Sequence, residues 1–527
     1  MGQPMTHFDR LAPFSAGEKA LIDAVEDALR VTLGSGCRPD RALDEVTIRA
    51  EVLRALILKD EGAPEVPPRG LRLRGATITG TLDLQGCDIT LDISLSRCLI
   101  ENEITLVNAN MRGLYLSECH MEGLSADNAV FDGALFLRSG TVVQGEVSLS
   151  GAVIRGDIQI CDAVIENPAG DAIFAPSITI DGSLFLGDYP YGGDPTTLVV
   201  TGGLFFSSAR IAHDVFVTNT AVGLPADAMN QGVFTGSEEH GQDMALSLAR
   251  AQVGGILYLK DNQISKGIVN LAGASVARLG DEPVGPGSNY PVRLDGFRYT
   301  DFSRHAETSL EARLAWLERR PADLPFIAQP YEQLAEVLSH MGHRGDARSV
   351  LLRKEVLLRA DARRELFRVR KYLRFAGSTL VDGVFRVAVG YGYRPGRAVL
   401  LACVLIAALG WVFQQTWEAG DMTPNAAPIL VSSGWTSAVA SHPENPGAFW
   451  SSAGQAGQDW ETFHPVAYAA DVVIPIVDLG QEGAWAPSTA RSDWGRFAWW
   501  LRWFAKAIGW IVTALAAGAI TGIIRSD

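Results

Sequence analysis

Positive charge is in short supply in this sequence: 45 lysines and arginines stand against 60 aspartates and glutamates in 527 residues, a formal charge of −15. Nucleic-acid binding needs a basic face that neutralises phosphates, so an acidic chain argues against that class of partner. The opening residues, "MGQPMTHFDRLAPFSAGEKA", lack the cationic start and apolar core of a secretory signal. The front of the chain is therefore expected to stay in the cytoplasm. No G-x-G-x-x-G run follows a strand and opens a helix, so no dinucleotide cofactor is expected. His120 and His213 have no partner at ligand spacing, and His340 and His343 sit in one turn without further ligands, so no metal is expected either. Apolar residues, by contrast, are plentiful at 47%. That is enough for packed cores in about three domains of roughly 150 residues.

From Gly75 the chain can be written in units of about eleven residues, among them "GATITGTLDLQ", "GCDITLDISLS", "RCLIENEITLV", "GTVVQGEVSLS" and "GAVIRGDIQIC". A small residue at the second position (Ala76, Cys87, Cys98, Ala109, Cys119, Ala129, Ala152) precedes a bulky apolar one at the fourth (Ile78, Ile89, Ile100, Met111, Met121, Phe131, Ile154). Positions eight and ten are again apolar, as in Leu82 and Leu84 or Ile158 and Ile160. Alternation of period two, broken by polar or glycine turns, marks short strands that need neighbours above and below. The fold class expected is mainly β: a right-handed parallel β-helix, or solenoid, over 70–300.

The boxes "ATITG", "ANMRG", "AVFDG" and "AVIRG" resemble degenerate pentapeptide repeats, a family that builds right-handed β-helices with small and leucine-like residues inward. The resemblance covers about 70–300 and departs in spacing, since an eleven-residue unit leaves six residues outside each box. The register also assigns Cys87, Cys98 and Cys119 to the slot alanine fills elsewhere, as small buried hydrophobes. Free core thiols fit a reducing compartment. Glycoside-cleaving enzymes need two facing carboxylates, whereas Asp83, Asp92 and Asp157 read as falling at different unit positions without stacking.

Residues 1–69 read as a helical cap, with amphipathic helices at 16–33 and 44–59 covering the solenoid's open end. Residues 301–376 read as a helical adaptor, in which "YEQLAEVLSHMGHRGDARSVLLRKE" resembles one tetratricopeptide-type hairpin. Its last part is basic (Arg359, Arg363, Arg364, Arg368, Arg370, Lys371, Arg374) and is expected to meet anionic lipid headgroups.

Residues 377–527 read as a membrane module with spans near 398–417 and 505–524, a tryptophan belt at Trp494, Trp499, Trp500 and Trp503, and a loop at 418–496. That loop is acidic, with Arg491 the one cation before residue 496. Charge bias then places the solenoid in the cytoplasm of a bacterium and the loop outside its inner membrane. Two spans with an apolar dip, "FHPVAYAADVVIPIVDLGQEG" at 463–483, resemble the plan of pore-loop channels, though no T-V-G-Y-G filter is present. The layout is also similar to that of bacterial proteins labelled membrane-associated oxidoreductases, for which the chain carries no cofactor motif. Within the dip, Asp471 and Asp478 are the candidate acids and Arg502 and Lys506 their candidate counter-charges. With Pro475 between the acids, an amphipathic segment on the outer surface is expected ahead of a pore loop.

Three functions follow in order of expectation. The first is a non-enzymatic scaffold that holds its β-helix at the membrane for a protein partner. The second is an oligomeric effector or channel, a homo-oligomer using 463–483. The third is a membrane-bound enzyme, for which no convergent catalytic group is found.

Overall fold

The computed structural model of the protein describes residues 6–223, 244–283, 285, 289–321, 324–368, 383 and 396–520. The chain divides into two compact units, Met1–Val350 and Leu351–Asp527. Among the described residues of the first unit, 29 strands share one sheet. Leu71 lies opposite Ile93, Ile93 opposite Leu114, Leu114 opposite Leu135 and Leu135 opposite Ile158, all in parallel, at steps of 22, 21, 21 and 23 residues. One circuit of chain therefore uses two of the eleven-residue units, and each unit pairs with the unit two places on. This stacking fits a β-helix-like domain.

Many of these strands are only two residues long, such as Leu82–Asp83 and Ile104–Thr105. Their ladder partners lie on neighbouring circuits, so no circuit is stable by itself. Buried pairs fill the interior at five-residue intervals: Ala109 and Met111, Leu114 and Leu116, Cys119 and Met121, Leu124 and Ala126, Ala129 and Phe131. The six residues expected outside each box thus contain a second inward pair. At one corner Gly86, Asn108, Asn128 and Gly151 stand on successive circuits with φ of 65°, 57°, 55° and 65°. That left-handed region is where glycine and asparagine are tolerated best.

Several carboxylates of the domain bind backbone. The register puts Asp92 and Asp157 in the same column, correcting their expected separation, but three circuits apart with Gly113 and Ala134 between. Asp157 Oδ1 accepts the Ser183 amide of the next circuit at 2.9 Å, and Asp214 Oδ1 accepts the Ile256 amide at 2.7 Å. Neither carboxylate has a second acid opposite it for glycosidic chemistry.

The N-terminal helices are shorter than expected, Ala16–Ala24 and Ala50–Leu58. The β-branched stretches between them, Val31–Thr32 and Thr47–Arg49, join the sheet beside Leu71–Arg74 and Thr77–Thr79. β-branched side chains suit a pleated, half-buried surface. Glu18 seals this end: it closes a capping box with Ser15 and forms a bidentate pair with Arg49 at 2.8 and 2.9 Å. At the other end Arg313, on the helix Leu310–Glu318, is fully buried and meets Asp281 at 2.7 and 2.9 Å. Its guanidinium also lies 4.2 Å from the Phe302 ring centroid. The helix Gln329–His340 follows, burying Tyr331, Leu334, Ala335 and Leu338, and the chain turns at Gly342.

Cys98 and Cys119 are buried, as their slot implies, whereas Cys87 is only half-buried, beside the Gly86 corner and within 3.9 Å of Arg54. Cys161 is buried as well, against Phe185 and Phe216.

In the second unit two long helices, Gly396–Glu418 and Asp493–Ile520, enclose in sequence a cap of short helices and the antiparallel pair Met422–Pro424 with Trp485–Pro487. Among the described residues one helix, Gly396–Glu418, is long and apolar enough to cross a membrane, against the two expected. The other expected span lies in Asp493–Ile520 up to residue 520, where Arg502 and Lys506 dilute the apolar run, and 521–524 lie outside the described residues. Of the basic stretch, Arg359 pairs with Glu355 at 3.5 Å, and Arg363, Arg364 and Arg368 belong to the helix Arg344–Arg368. Arg370, Lys371 and Arg374 lie outside the described residues.

Two outcomes follow from this packing. Asp281→Ala strands a buried guanidinium and is expected to cost about 3–5 kcal/mol in denaturant unfolding, with Asp281→Leu plus Arg313→Met recovering most of it. Burial pushes the Cys161 thiol up to about 12, and the bond to Cys119 together with burial holds Cys98 well above its ordinary value. Both therefore stay protonated at pH 8, and maleimide mass mapping should modify Cys37 in the native protein but Cys98, Cys119 and Cys161 only after denaturation.

Candidate functional site

The segment 463–483 folds into the core of the second unit. His464 caps the helix Pro465–Val473, its ring nitrogen accepting the Ala467 amide at 3.3 Å, and Pro465 occupies the first turn where its missing N–H costs nothing. The helix stops at Val473 because Ile474 precedes Pro475 and is pushed to extended backbone, with ψ of 94°. Its buried face, Tyr468, Ala469, Val472 and Val473, belongs to a cluster with Leu409 and Phe413 of one long helix and Ala505 of the other. Aromatic residues complete it: Trp417, on the helix Gly396–Glu418, stacks on Phe463 of the cap at 4.8 Å, and fully buried Trp485 meets Trp417 edge-on at 5.0 Å. Such pairs add to stability beyond their buried area.

Two glycines admit the short helix between the long ones. A Cβ on Gly410 would lie 3.5 Å from Val466, and one on Gly509 would fall 2.1 Å from the Val473 carbonyl oxygen. The depth follows from the ladder of contacts. Trp494 Nε1 donates to Thr416 Oγ1 at 3.2 Å, which sets these residues at one level. Gly410 lies six residues from Thr416, and Gly509 fifteen from Trp494, or roughly 9 and 22 Å at about 1.5 Å per residue. The helix Pro465–Val473 thus descends along the two long helices, and the chain returns through 474–484.

Asp471 holds the returning limb. Although only 5% exposed, its carboxylate accepts the amides of Leu479, Gln481 and Glu482 at 2.6, 2.8 and 3.1 Å. A buried carboxylate with three charge-assisted bonds acts as a structural clamp. Asp478 is exposed and accepts the Gly480 amide at 3.0 Å. Pro475 therefore separates the two acids, and they form no acid–base pair. Arg502 and Lys506 meet neither of them. Both bind Glu482, Lys506 at 2.9 and 3.0 Å and Arg502 at 3.4 Å.

Glu482, Gly410 and Gly509 were not singled out in the sequence. The matching runs "LGWVF" and "IGWIV" carried a signal for the glycines, each placing a glycine inward and an exposed tryptophan, Trp411 or Trp510, beside it. Small residues in apolar helices mark close approach. No group of His, Cys, Asp and Glu among the described residues could hold a metal ion. Comparison with family models, curated proteins and solved structures finds no match for the chain.

The close approach at Gly509 is directly testable. Gly509→Ala must displace the Val473 backbone and is expected to lower stability by about 1–3 kcal/mol, whereas Gly410→Ala makes an ordinary contact and should stay within about 1 kcal/mol. Thermal or denaturant unfolding in detergent separates the two, and equal effects would contradict the described packing.

Proposed function

We propose that the protein is an integral membrane effector in which 463–483 is a re-entrant, pore-loop-like segment between two crossings. The observation that carries this reading is the descent of the helix Pro465–Val473 between the two long helices, at Gly410 and Gly509. Gly396–Glu418 is one crossing, with only 22% of its apolar stretch buried by protein. Asp493–Ile520 is the other. Its charges Arg502 and Lys506 turn inward to Glu482, as intramembrane charges must, while Trp500, Trp503, Phe504 and Trp510 are exposed as a lipid-facing surface. The solenoid, of the right-handed pentapeptide-repeat type, lies in the bacterial cytoplasm, with the loop outside the inner membrane. Arg363 and its basic neighbours meet anionic lipid.

The scaffold reading remains as the task of the first unit. A β-helix sealed at both ends by the Glu18–Arg49 and Asp281–Arg313 pairs offers rigid outer faces to a protein partner. Ion flux through vesicles containing the purified full-length protein tests the effector reading. Flux is expected, with a loss on the order of tenfold in Asp478→Asn. A tight seal under every condition would leave only a membrane-held scaffold.

A further inference from the structure

The turn after the short helix has spent its donors and kept its acceptors. Val477 donates to the Ile474 carbonyl at 3.0 Å, Asp471 takes the amides of Leu479, Gln481 and Glu482, and Asp478 takes that of Gly480. Pro475 has no N–H to offer. The carbonyl oxygens of Pro475, Ile476, Val477, Asp478 and Leu479, by contrast, accept no hydrogen bond from the described residues. On the reading of a membrane-inserted module, this turn lies well below the Trp494–Thr416 level, since Val473 touches Gly509 just before it. Irregular backbone at that depth is tolerated where protein buries it or where it lines a water-filled cavity. Asp478 and Gly480 are exposed, which selects the cavity.

The charges favour one sign of ion. The helix Pro465–Val473 runs down into the turn, so the negative end of its dipole lies there. Arg502 and Lys506 both meet Glu482, whose amide is held by Asp471, so two cations face two carboxylates and Asp478 is the charge left over. On the cap Glu444, Asp459 and Glu461 are exposed and add a field that concentrates cations. An anion entering the turn would meet a carboxylate, a helix C-terminus and amides already taken. A cation would meet oxygens able to replace part of its hydration shell. We propose that the turn 475–480 admits alkali cations and rejects anions, with the Asp478 carboxylate and the free carbonyls as its oxygen ligands. One carboxylate among neutral carbonyls suits a monovalent ion, since Ca²⁺ sites gather several charged oxygens. This rests on the conducting reading above and names the ion class of that same site.

The test is the reversal potential of the purified full-length protein in planar bilayers of phosphatidylcholine and phosphatidylglycerol under a KCl gradient. K⁺ is expected to be favoured over Cl⁻ on the order of tenfold in the wild type. The preference should fall several-fold in Asp478→Asn, which keeps an oxygen for the Gly480 amide and removes the charge, and should persist in Asp478→Glu. Conductance without preference, or in favour of Cl⁻, overturns the inference and leaves the conducting reading intact. A K⁺ preference unchanged in Asp478→Asn also overturns it, since the ion is then selected elsewhere. Absence of conductance under every condition overturns the reading on which it rests. Asp478→Ser replaces Asp478→Asn if the latter fails to fold, and the same outcomes decide.

Discussion

Every backbone amide and carbonyl removed from water must find a partner, and both units of this chain are built around that requirement. In the parallel sheet of the first unit the partner is the next circuit, so two-residue strands suffice and the carboxylates Asp157 and Asp214 collect the amides the ladder leaves over. At the ends no next circuit exists. There a helix brings a buried acid or base across, Glu18 to Arg49 and Arg313 to Asp281. In the second unit the same demand falls on Asp471, which receives three amides from the chain as it turns back.

These roles change what the acids of the sequence mean. Asp157 and Asp471 are residue types that could serve catalysis, yet each is committed to backbone donors. A carboxylate whose oxygens are taken up by backbone donors serves to hold the chain in place. Arg502 and Lys506 are likewise engaged in a structural contact, both with the Glu482 carboxylate. These acids and bases thus fix the course of the chain, and the proposed effector reading rests on where the segment 463–483 sits.

Much of the first unit was legible because its signal repeats. The small and bulky slots around Ala76 and Ile78 recur often enough to reveal the interior, and the same slots located Cys98 and Cys119. The circuit length was not legible, since an eleven-residue period does not say whether one unit or two close a turn; only the pairing of Thr77 with Leu99 and Leu82 with Ile104 decides. The strands at Val31–Thr32 and Thr47–Arg49 were hidden inside helical periodicity, where tertiary pairing overrode the local pattern. In the second unit Pro475 correctly marked a break between Asp471 and Asp478. The descent between the helices was not legible, because it depends on two isolated glycines and on the clamp from Asp471 to residues eight to eleven positions away.

The clamp is the most direct point of attack on this account. Hydrogen–deuterium exchange of the membrane-reconstituted protein should find the amides of Leu479, Gln481 and Glu482 slow in the wild type. In Asp471→Ala they should exchange fast, while peptides from the solenoid keep their protection. Fast exchange of those three amides in the wild type, or unchanged slow exchange in Asp471→Ala, would contradict the claim that Asp471 holds the returning limb in place.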